Sequence, residues 1–265
     1  MNQGRLHQGF YRNGPSHRDG ADVSFQDIRK LFNFSTITVG RWVTREEQQI
    51  AANLFFDALY DLAAILNVNE QVISLNGSLS LAFGSGGQKN SSAHYNSAKR
   101  QLALAKNAGA GALAHEWFHA FDHYIGSKTY PNAGQFGFAS SAWLSNEDSI
   151  THPLTDLLGD CFQAILLNED GSAPSELFRV SRATDSSLKT VYYARPEELC
   201  ARAFEAFVED SQPRNRFLVN GTVHSEEAKA GLYPQGKQRQ RINAAFQRYF
   251  AVLGAALHRE QAKAG

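Results

Sequence analysis

Residues 113–125 read LAHEWFHAFDHYI, and this stretch decides how the rest of the chain is interpreted. An α-helix advances about 100° per residue, so His115 and His119 lie one turn apart on the same side. Glu116 and Asp122 fall on that side as well, while the Leu, Ala, Trp and Phe residues fall on the opposite side. The stretch therefore predicts a helix with one apolar face and one face that carries imidazoles and carboxylates.

The HExxH pattern in this helix points to zinc chemistry. Two histidines one turn apart can both bind a single Zn²⁺ through their imidazole nitrogens. A glutamate beside the first histidine can accept a proton from water, whose pKa the metal lowers to about 7. We therefore predict His115 and His119 as zinc ligands and Glu116 as the catalytic base. The alternative is a surface helix with unrelated histidines.

A catalytic zinc also needs a third protein ligand and an open fourth position. The helix continues past His119 with no glycine before Gly126, so we expect this ligand to come from another helix. The predicted helix over 196–209 contains the run Glu-Leu-Cys-Ala, the ExxA pattern of zincins whose third ligand is a glutamate. We predict Glu198 as the third ligand and Glu205 as its alternative. A first-turn glutamate favoured by the helix dipole would also explain Glu198, and Glu205 could instead orient a histidine.

Three further residues are candidates for supporting roles. Asp122 lies one turn beyond His119 and either orients a ligand or is an ordinary surface carboxylate. His94 lies on a presumed strand edge, where it could contact substrate. Tyr193 precedes the predicted ligand helix, where its hydroxyl could donate to an oxyanion or simply pack.

Composition excludes several classes of protein. The 265 residues contain 26 basic and 26 acidic side chains, so the net charge is zero, which argues against a generally basic nucleic-acid coat. No apolar run reaches the length of a membrane span, and the polar, glycine-containing start has no signal-peptide core. Two cysteines are too few for a disulfide scaffold. These features predict a reduced, cytoplasmic protein that is not bound to a membrane; the oligomeric state stays open.

Periodicity predicts an α+β fold, mostly helical, with a small sheet before the HExxH helix. Thr44 and Glu47 form a capping box for a helix over 45–66. The short strand candidates lie within 36–43, 72–83 and 101–105. Further helices are expected near 154–166, 196–208 and 237–258.

The remaining segments set the predicted domain boundaries. The polar segments 126–153 and 168–190 are expected to be loops, the first a possible specificity lid. We predict a flexible arm over 1–22 and a single domain over 23–260.

Several motifs together resemble a known family. They are Gly40-Arg41-Trp42, Phe83-Gly84, Ala93-His94-Tyr95, residues 109–122, residues 195–207 and Leu232-Tyr233-Pro234. In these motifs the chain, over about residues 30–255, resembles the first of the large polyvalent protein-associated domains, which occur in proteins of phages and conjugative elements. The helix with Glu198 is also similar to that of phage-linked metallopeptidases that cleave repressors. The resemblance implies a zincin-like fold.

These observations lead to one main hypothesis and two alternatives. The main hypothesis is a zinc-dependent endopeptidase that cleaves a specific protein target and serves a mobile element or phage against its host. A zincin scaffold that only binds a partner is the first alternative. The second is a nucleic-acid-associated factor, because the chain from Arg214 onward has nine Lys or Arg and three acidic residues.

Overall fold

The structure, a computed structural model, describes residues 5–85, 93–106, 111–134 and 137–264. Within them the chain forms a mixed α+β fold, which confirms the predicted class. The α-helices are α1 (Phe25–Phe32), α2 (Arg45–Leu66), α3 (Glu70–Ile73), α4 (Leu113–Thr129), α5 (Ala139–Leu144), α6 (Pro153–Leu166), α7 (Glu176–Leu188), α8 (Pro196–Asp210), α9 (Glu226–Lys229) and α10 (Gly236–Ala264). The strands are β1 (Ile37–Val39), β2 (Ser80–Phe83), β3 (Ala93–Asn96) and β4 (Gln101–Leu104).

The four strands form one sheet that ends before the histidine helix, as predicted. Its order is β1-β2-β4-β3, with β1, β2 and β4 parallel and β3 antiparallel to β4. All residues of β2 are buried, which fits a central parallel strand that reads as a continuous run of small and apolar residues. β3 is an edge strand, and His94 pairs there with Ala103.

The chain divides into two compact units. The first comprises Met1–Ala120 and Ser211–Asn220, and the second comprises Phe121–Asp210 and Gly221–Gly265. In the first, aromatic rings from the sheet and the preceding helices meet: Phe83 lies 5.9 Å from Phe25 and 5.8 Å from Phe55 between ring centroids. The predicted single domain over 23–260 stays a prediction.

The second unit has its own aromatic core. Phe204 of α8 lies 5.6 Å from Phe246 and 6.0 Å from Phe250 of α10, between ring centroids. Aromatic pairs at this spacing add to the free energy of burying their apolar area. The position of α8 is therefore stabilised by packing against α10.

Helix α2 begins and ends at the residues that its sequence predicts. Thr44 and Glu47 form the capping box, and Asn67 closes the helix in the left-handed conformation. By length and composition α2 could also cross a membrane, but 56% of its most apolar window is buried within the fold. A core helix has the same composition.

The two predicted loops contain helices that the sequence analysis missed. The segment 126–153 includes the end of α4, a 3-10 turn at Pro131–Ala133 and α5, while 168–190 includes α7. The expectation of loops over these segments was wrong: both α5 and α7 bury few apolar residues, so their composition resembles that of a loop. The role of 126–153 as a lid stays a prediction.

Part of the N-terminal segment over which a flexible arm is predicted contacts α2. Arg12 and His17 bind Asp61 of α2, and Arg18 binds Asp57 over 3.0 and 3.1 Å. The polar composition of this segment underlies the expectation of flexibility, which stays a prediction. Three of its basic side chains have partners far along the chain, in α2. No local pattern identifies such partners.

Candidate metal centre

Helix α4 has the two faces that the sequence predicts. Trp117 and Phe118 are fully buried, and the indole nitrogen of Trp117 donates to the carbonyl of Ile73 over 2.9 Å. On the other face His115 and Glu116 are half-buried, while His119 is 7% exposed. Burial of the apolar face fixes the rotation of the helix about its axis, and thereby the direction of the histidines.

The two imidazoles of α4 converge on one point. The Nε2 atoms of His115 and His119 lie 3.0 Å apart, and the ring centroids lie 4.7 Å apart at an interplanar angle of 75°. Two nitrogens bound to one tetrahedral zinc at 2.0–2.1 Å are about 3.3 Å apart. The spacing therefore fits two ligands of one metal with little adjustment.

Glu198 of α8 completes a set of three possible ligands. One ligand atom each from His115, His119 and Glu198 lie within 4.8 Å of one another. Glu198 is 9% exposed and lies in the first turn of its helix. Two imidazoles and one carboxylate form a donor set typical of catalytic zinc, so the residues present fit the metal.

Glu116 follows His115 in the first turn of α4, where the partial positive charge of the helix N-terminus favours a carboxylate. Its backbone nitrogen donates to the carbonyl of Ala112, which precedes α4, over 3.1 Å. Its position beside the first histidine matches the predicted pattern. The role of catalytic base stays a prediction.

Glu205 lies two turns from Glu198 on α8 and accepts a hydrogen bond from the hydroxyl of Tyr233 over 3.1 Å. It is 5% exposed. Burial raises the pKa of Tyr233, and the Glu205 carboxylate raises it further, so this hydroxyl stays protonated as a donor. Among the described residues, the three-ligand set contains Glu198 and not Glu205.

A buried arginine, Arg202, separates the two glutamates along α8. It donates to the carbonyls of Leu232 and Tyr193 over 2.8 and 2.6 Å, and to the hydroxyl of Ser181 over 3.0 Å. Burial lowers the pKa of its guanidinium, and the charge of Glu198 opposes this. Arg202 therefore ties two loops to the helix of the predicted third ligand and supplies a positive charge near its carboxylate.

Asp122 of α4 caps a neighbouring helix. Its carboxylate accepts hydrogen bonds from the backbone nitrogen and the hydroxyl of Ser140, over 2.9 and 2.5 Å. Ser140 is in the first turn of α5, where backbone nitrogens have no partner inside the helix. Asp122 is 1% exposed, so of the two alternatives the ordinary surface carboxylate is excluded, while a role in orienting a ligand stays a prediction.

The two predicted substrate contacts have different surroundings. Tyr193 donates its backbone nitrogen to Asp185 over 2.9 Å, and its ring lies under the Arg202 guanidinium at 5.4 Å from the centroid. His94 is half-buried on β3. Neither belongs to the three-ligand set among the described residues, and a contact of either with substrate stays a prediction.

Two groups near these residues were missed in the sequence. Tyr233 was noted only as part of a family motif, and Asp185 was not noted at all. Asp185 accepts from the backbone nitrogens of Tyr192, Tyr193 and Ala194; burial opposes ionisation, but these donors leave its pKa below the ordinary value. The sequence offered one indication of this role, an acidic residue followed a few positions later by two tyrosines. That pattern is too common to predict a buried carboxylate.

Comparison with known families gives one match. Residues 184–257 match the family model of large polyvalent protein-associated domain 1. The match is to the family that the sequence resembles, over this region of the chain. The matched region includes Glu198, Glu205 and Tyr233. It begins after α4 in the chain, so it does not include the two histidines. No curated protein and no solved structure matches the chain at a significant level.

Proposed function

We propose that this protein is a zinc-dependent endopeptidase with a zincin-like domain of the glutamate-ligand type. The observation that carries the proposal is the convergence of His115, His119 and Glu198, whose ligand atoms lie within 4.8 Å of one another. Three protein ligands leave a fourth position for water or substrate, which is the arrangement of catalytic zinc. The HExxH pattern supplies a glutamate next to the first ligand.

Zinc held there would polarise a peptide carbonyl and lower the pKa of a coordinated water to about 7. The task of Glu116 is to accept the proton that this water loses during attack and to deliver it to the leaving amine. His115 and His119 would hold the metal from a helix whose opposite face is buried, which fixes the rotation of the helix about its axis. Glu198 supplies the one negative charge among the three ligands.

The sheet suggests how an extended substrate would bind. β3 is antiparallel to β4 at one edge of the sheet, and among the described strands it pairs with β4 alone. An extended peptide can bind a protein by adding as a further strand beside an edge strand. We propose that the substrate is a protein segment in extended conformation, which His94 of β3 could contact.

The family supports a biological setting. Large polyvalent protein-associated domains occur in proteins of phages and conjugative elements. We therefore propose that the chain selectively cleaves a host protein or a protein that the element encodes. Both cysteines are buried free thiols, which fits a reducing compartment such as the cytoplasm. Delivery into a host or recipient cell is compatible with this proposal.

The decisive experiment compares the wild-type chain with Glu116→Gln. We expect both to bind about one zinc per chain, because Glu116 is not a ligand. New protein termini should appear in a lysate of host cells after addition of the wild-type chain and be absent with Glu116→Gln, with a loss of rate of at least about 10²-fold. Mass spectrometry of free N-termini measures this.

A matched control is Glu176→Gln, which also removes a first-turn glutamate but in α7, where Glu176 is an exposed partner of Arg179. Its cleavage rate should equal that of the wild type. Cleavage that persists in Glu116→Gln would refute the proposed role of this residue. Zinc binding without any cleavage would favour the non-enzymatic scaffold, and a chain that binds no zinc would exclude the metallopeptidase.

A further inference from the structure

A buried aspartate of α2, Asp61, joins two distant segments of the chain. Its side chain is completely inaccessible to solvent. Arg12 donates to its two oxygens over 2.6 and 2.7 Å, and His17 and Asn215 each donate to it over 2.8 Å. A buried carboxylate is costly unless charged and polar groups surround it. Asp61 is therefore a fixed junction between the N-terminal residues, α2 and the segment that contains Asn215.

The N-terminal residues also pair with that segment through the backbone. Arg12 and Asn215 form an antiparallel bridge. Two backbone hydrogen bonds flank the bridge: Asn13 donates to Arg214 over 3.1 Å, and Arg216 donates to Tyr11 over 3.0 Å. We call residues 10–18 the N-terminal strap. The strap therefore pairs with the backbone of Asn215, while Asp61 accepts a hydrogen bond from its side chain.

Asn215 in turn shapes the segment that follows it. Its side-chain oxygen accepts from the backbone nitrogens of Phe217 and Leu218 over 2.9 and 3.2 Å, which folds the chain into a turn. The carbonyls of these two residues then accept hydrogen bonds from the start of the histidine helix. Gly111 donates to Phe217 over 3.2 Å, and Ala114 donates to Leu218 over 3.0 Å.

The start of α4 depends on these carbonyls. The first backbone nitrogens of a helix have no partner inside the helix, and Ala112, which precedes α4, has no polar side chain to cap them. Gly111 has a φ of +104°, and a Cβ there would lie 2.6 Å from the backbone nitrogen of Asn220. The segment 217–220 therefore fits directly against the residues that begin the helix.

We propose that Arg12, Asp61 and Asn215 form a positioning network for the zinc ligands of α4. The network fixes the carbonyls on which the first turn of α4 rests, and His115 lies in that turn, one turn before His119. The part that concerns zinc depends on the proposed function; the part that concerns the start of the helix does not. The N-terminal strap is thus a component of the metal centre, although it contributes no ligand.

The test compares variants of the network with a control variant on the same helix. Asp61→Asn removes the charge that binds Arg12 and turns a donor amide toward the guanidinium. Asp57→Asn is the control, because Asp57 lies one turn earlier on α2 and pairs with Arg18 of the same strap over 3.0 and 3.1 Å. Asn215→Ala removes the turn directly. Arg12→Lys keeps the positive charge but loses one of the two hydrogen bonds to Asp61, and it replaces Asp61→Asn if that variant does not fold.

Two quantities are measured on the full chain. Hydrogen exchange of the Gly111 and Ala114 amides should accelerate at least about tenfold in Asp61→Asn and Asn215→Ala, while the β2–β4 amides stay unchanged. Zinc affinity, from competition with a chelator, should weaken by about 10-fold or more, and less in Arg12→Lys. Asp57→Asn should match the wild type in both.

The inference is overturned if Asp61→Asn and Asn215→Ala behave like Asp57→Asn, or if exchange accelerates equally throughout the sheet. A wild-type chain without zinc affinity would remove the proposed function, yet the exchange of Gly111 and Ala114 would still decide whether the network holds the helix start. If zinc binding weakens while the exchange of Gly111 and Ala114 is unchanged, the inference is also rejected, because the loss of affinity would then not arise from the start of α4.

Discussion

Glu198 and Glu205 lie on the same helix but have different surroundings. Glu198 has a ligand atom within 4.8 Å of those of His115 and His119, whereas Glu205 accepts the hydroxyl of Tyr233. Both are buried, so exposure does not distinguish a ligand from a residue that orients one. The two residues share a face of α8 but lie about 10 Å apart along its axis, a difference that a helical wheel does not show.

We therefore expect Glu198→Gln and Glu205→Gln to differ in zinc affinity. Loss of a group that only orients a ligand typically weakens metal binding 10–100-fold, so Glu205→Gln should fall near the lower end, at about 10-fold. Glu198→Gln should exceed about 100-fold because it removes a ligand. Titration against a chelator measures both values, with Glu176→Gln as the unaffected control. An equal or larger loss in Glu205→Gln would make Glu205 the ligand.

At the scale of the element, local chemistry explains where α2 begins. Thr44 accepts from the Glu47 backbone, and the Glu47 side chain accepts from the Thr44 backbone. Lys106 pairs with Glu47 over 2.7 Å. The hydrogen bond from Lys106, with that from Thr44, lowers the pKa of Glu47 to about 2, from an ordinary value of 4.5.

This pKa predicts how the stability of the first unit depends on pH. Because the pKa of Glu47 is lower in the folded chain, its stabilising effect is complete above about pH 4.5 and is lost as the pH falls toward 2. Glu47→Gln keeps the capping acceptor but removes the charge. It should lower the free energy of unfolding by about 1 kcal/mol at neutral pH, and the difference should vanish near pH 2.

Denaturant unfolding of both chains at several pH values measures this difference. Glu46→Gln is the matched control, because Glu46 is adjacent and its side chain is 77% exposed. Its unfolding free energy should follow that of the wild type. A difference between Glu47→Gln and wild type that persists unchanged at pH 2 would show that the charge of Glu47 is not its source.

Elements with strong local signals were predicted from sequence, and those without them were missed. α2 has a capping box and a long apolar period, and its bounds match the prediction. α7 has a capping serine, Ser175, but few buried apolar residues, so it was taken for a loop. α5 begins without a side-chain cap of its own and is capped by Asp122 from another helix. A helix of this kind is visible only after the chain has folded.

At the scale of the whole molecule, several basic side chains of the C-terminal quarter bind other groups of the chain. Arg239 pairs with Asp210 over 2.6 Å, and Lys229 pairs with Glu226 over 2.6 Å. Arg241 donates to the carbonyls of Ala164 and Leu167, over 3.1 and 2.9 Å. Basic groups that already bind acids or carbonyls cannot release counterions from a phosphate backbone without first breaking these contacts.

We therefore expect the chain to show no salt-dependent binding to double-stranded DNA at physiological ionic strength. A gel shift assay with duplex DNA over a range of salt concentrations measures this. Binding whose affinity falls steeply with salt, as neutralisation of several phosphates requires, would contradict the expectation and support the nucleic-acid alternative. Retained binding in a full-length chain whose basic residues from Arg214 onward are replaced by glutamine would exclude the C-terminal quarter as its source.

Features that depend on residues close together in the chain were predictable from sequence, whereas contacts between distant residues were not. The spacing of His115 and His119, the apolar face behind them and the capping box of α2 depend on residues within about two helical turns, so the sequence by itself determined them. It also indicated a glutamate of the 196–209 segment as the third ligand, without deciding between two.

Only the tertiary structure decided which distant groups meet. It brought Glu198 rather than Glu205 near the histidines, turned Asp122 toward Ser140, and placed Arg12 and Asn215 on Asp61. These contacts join residues that are from 18 to 154 positions apart, as in the pairs Asp122–Ser140 and Asp61–Asn215. No local preference brings such residues together; the packing of buried apolar faces does so, and the buried polar groups then bind the partners that this packing provides.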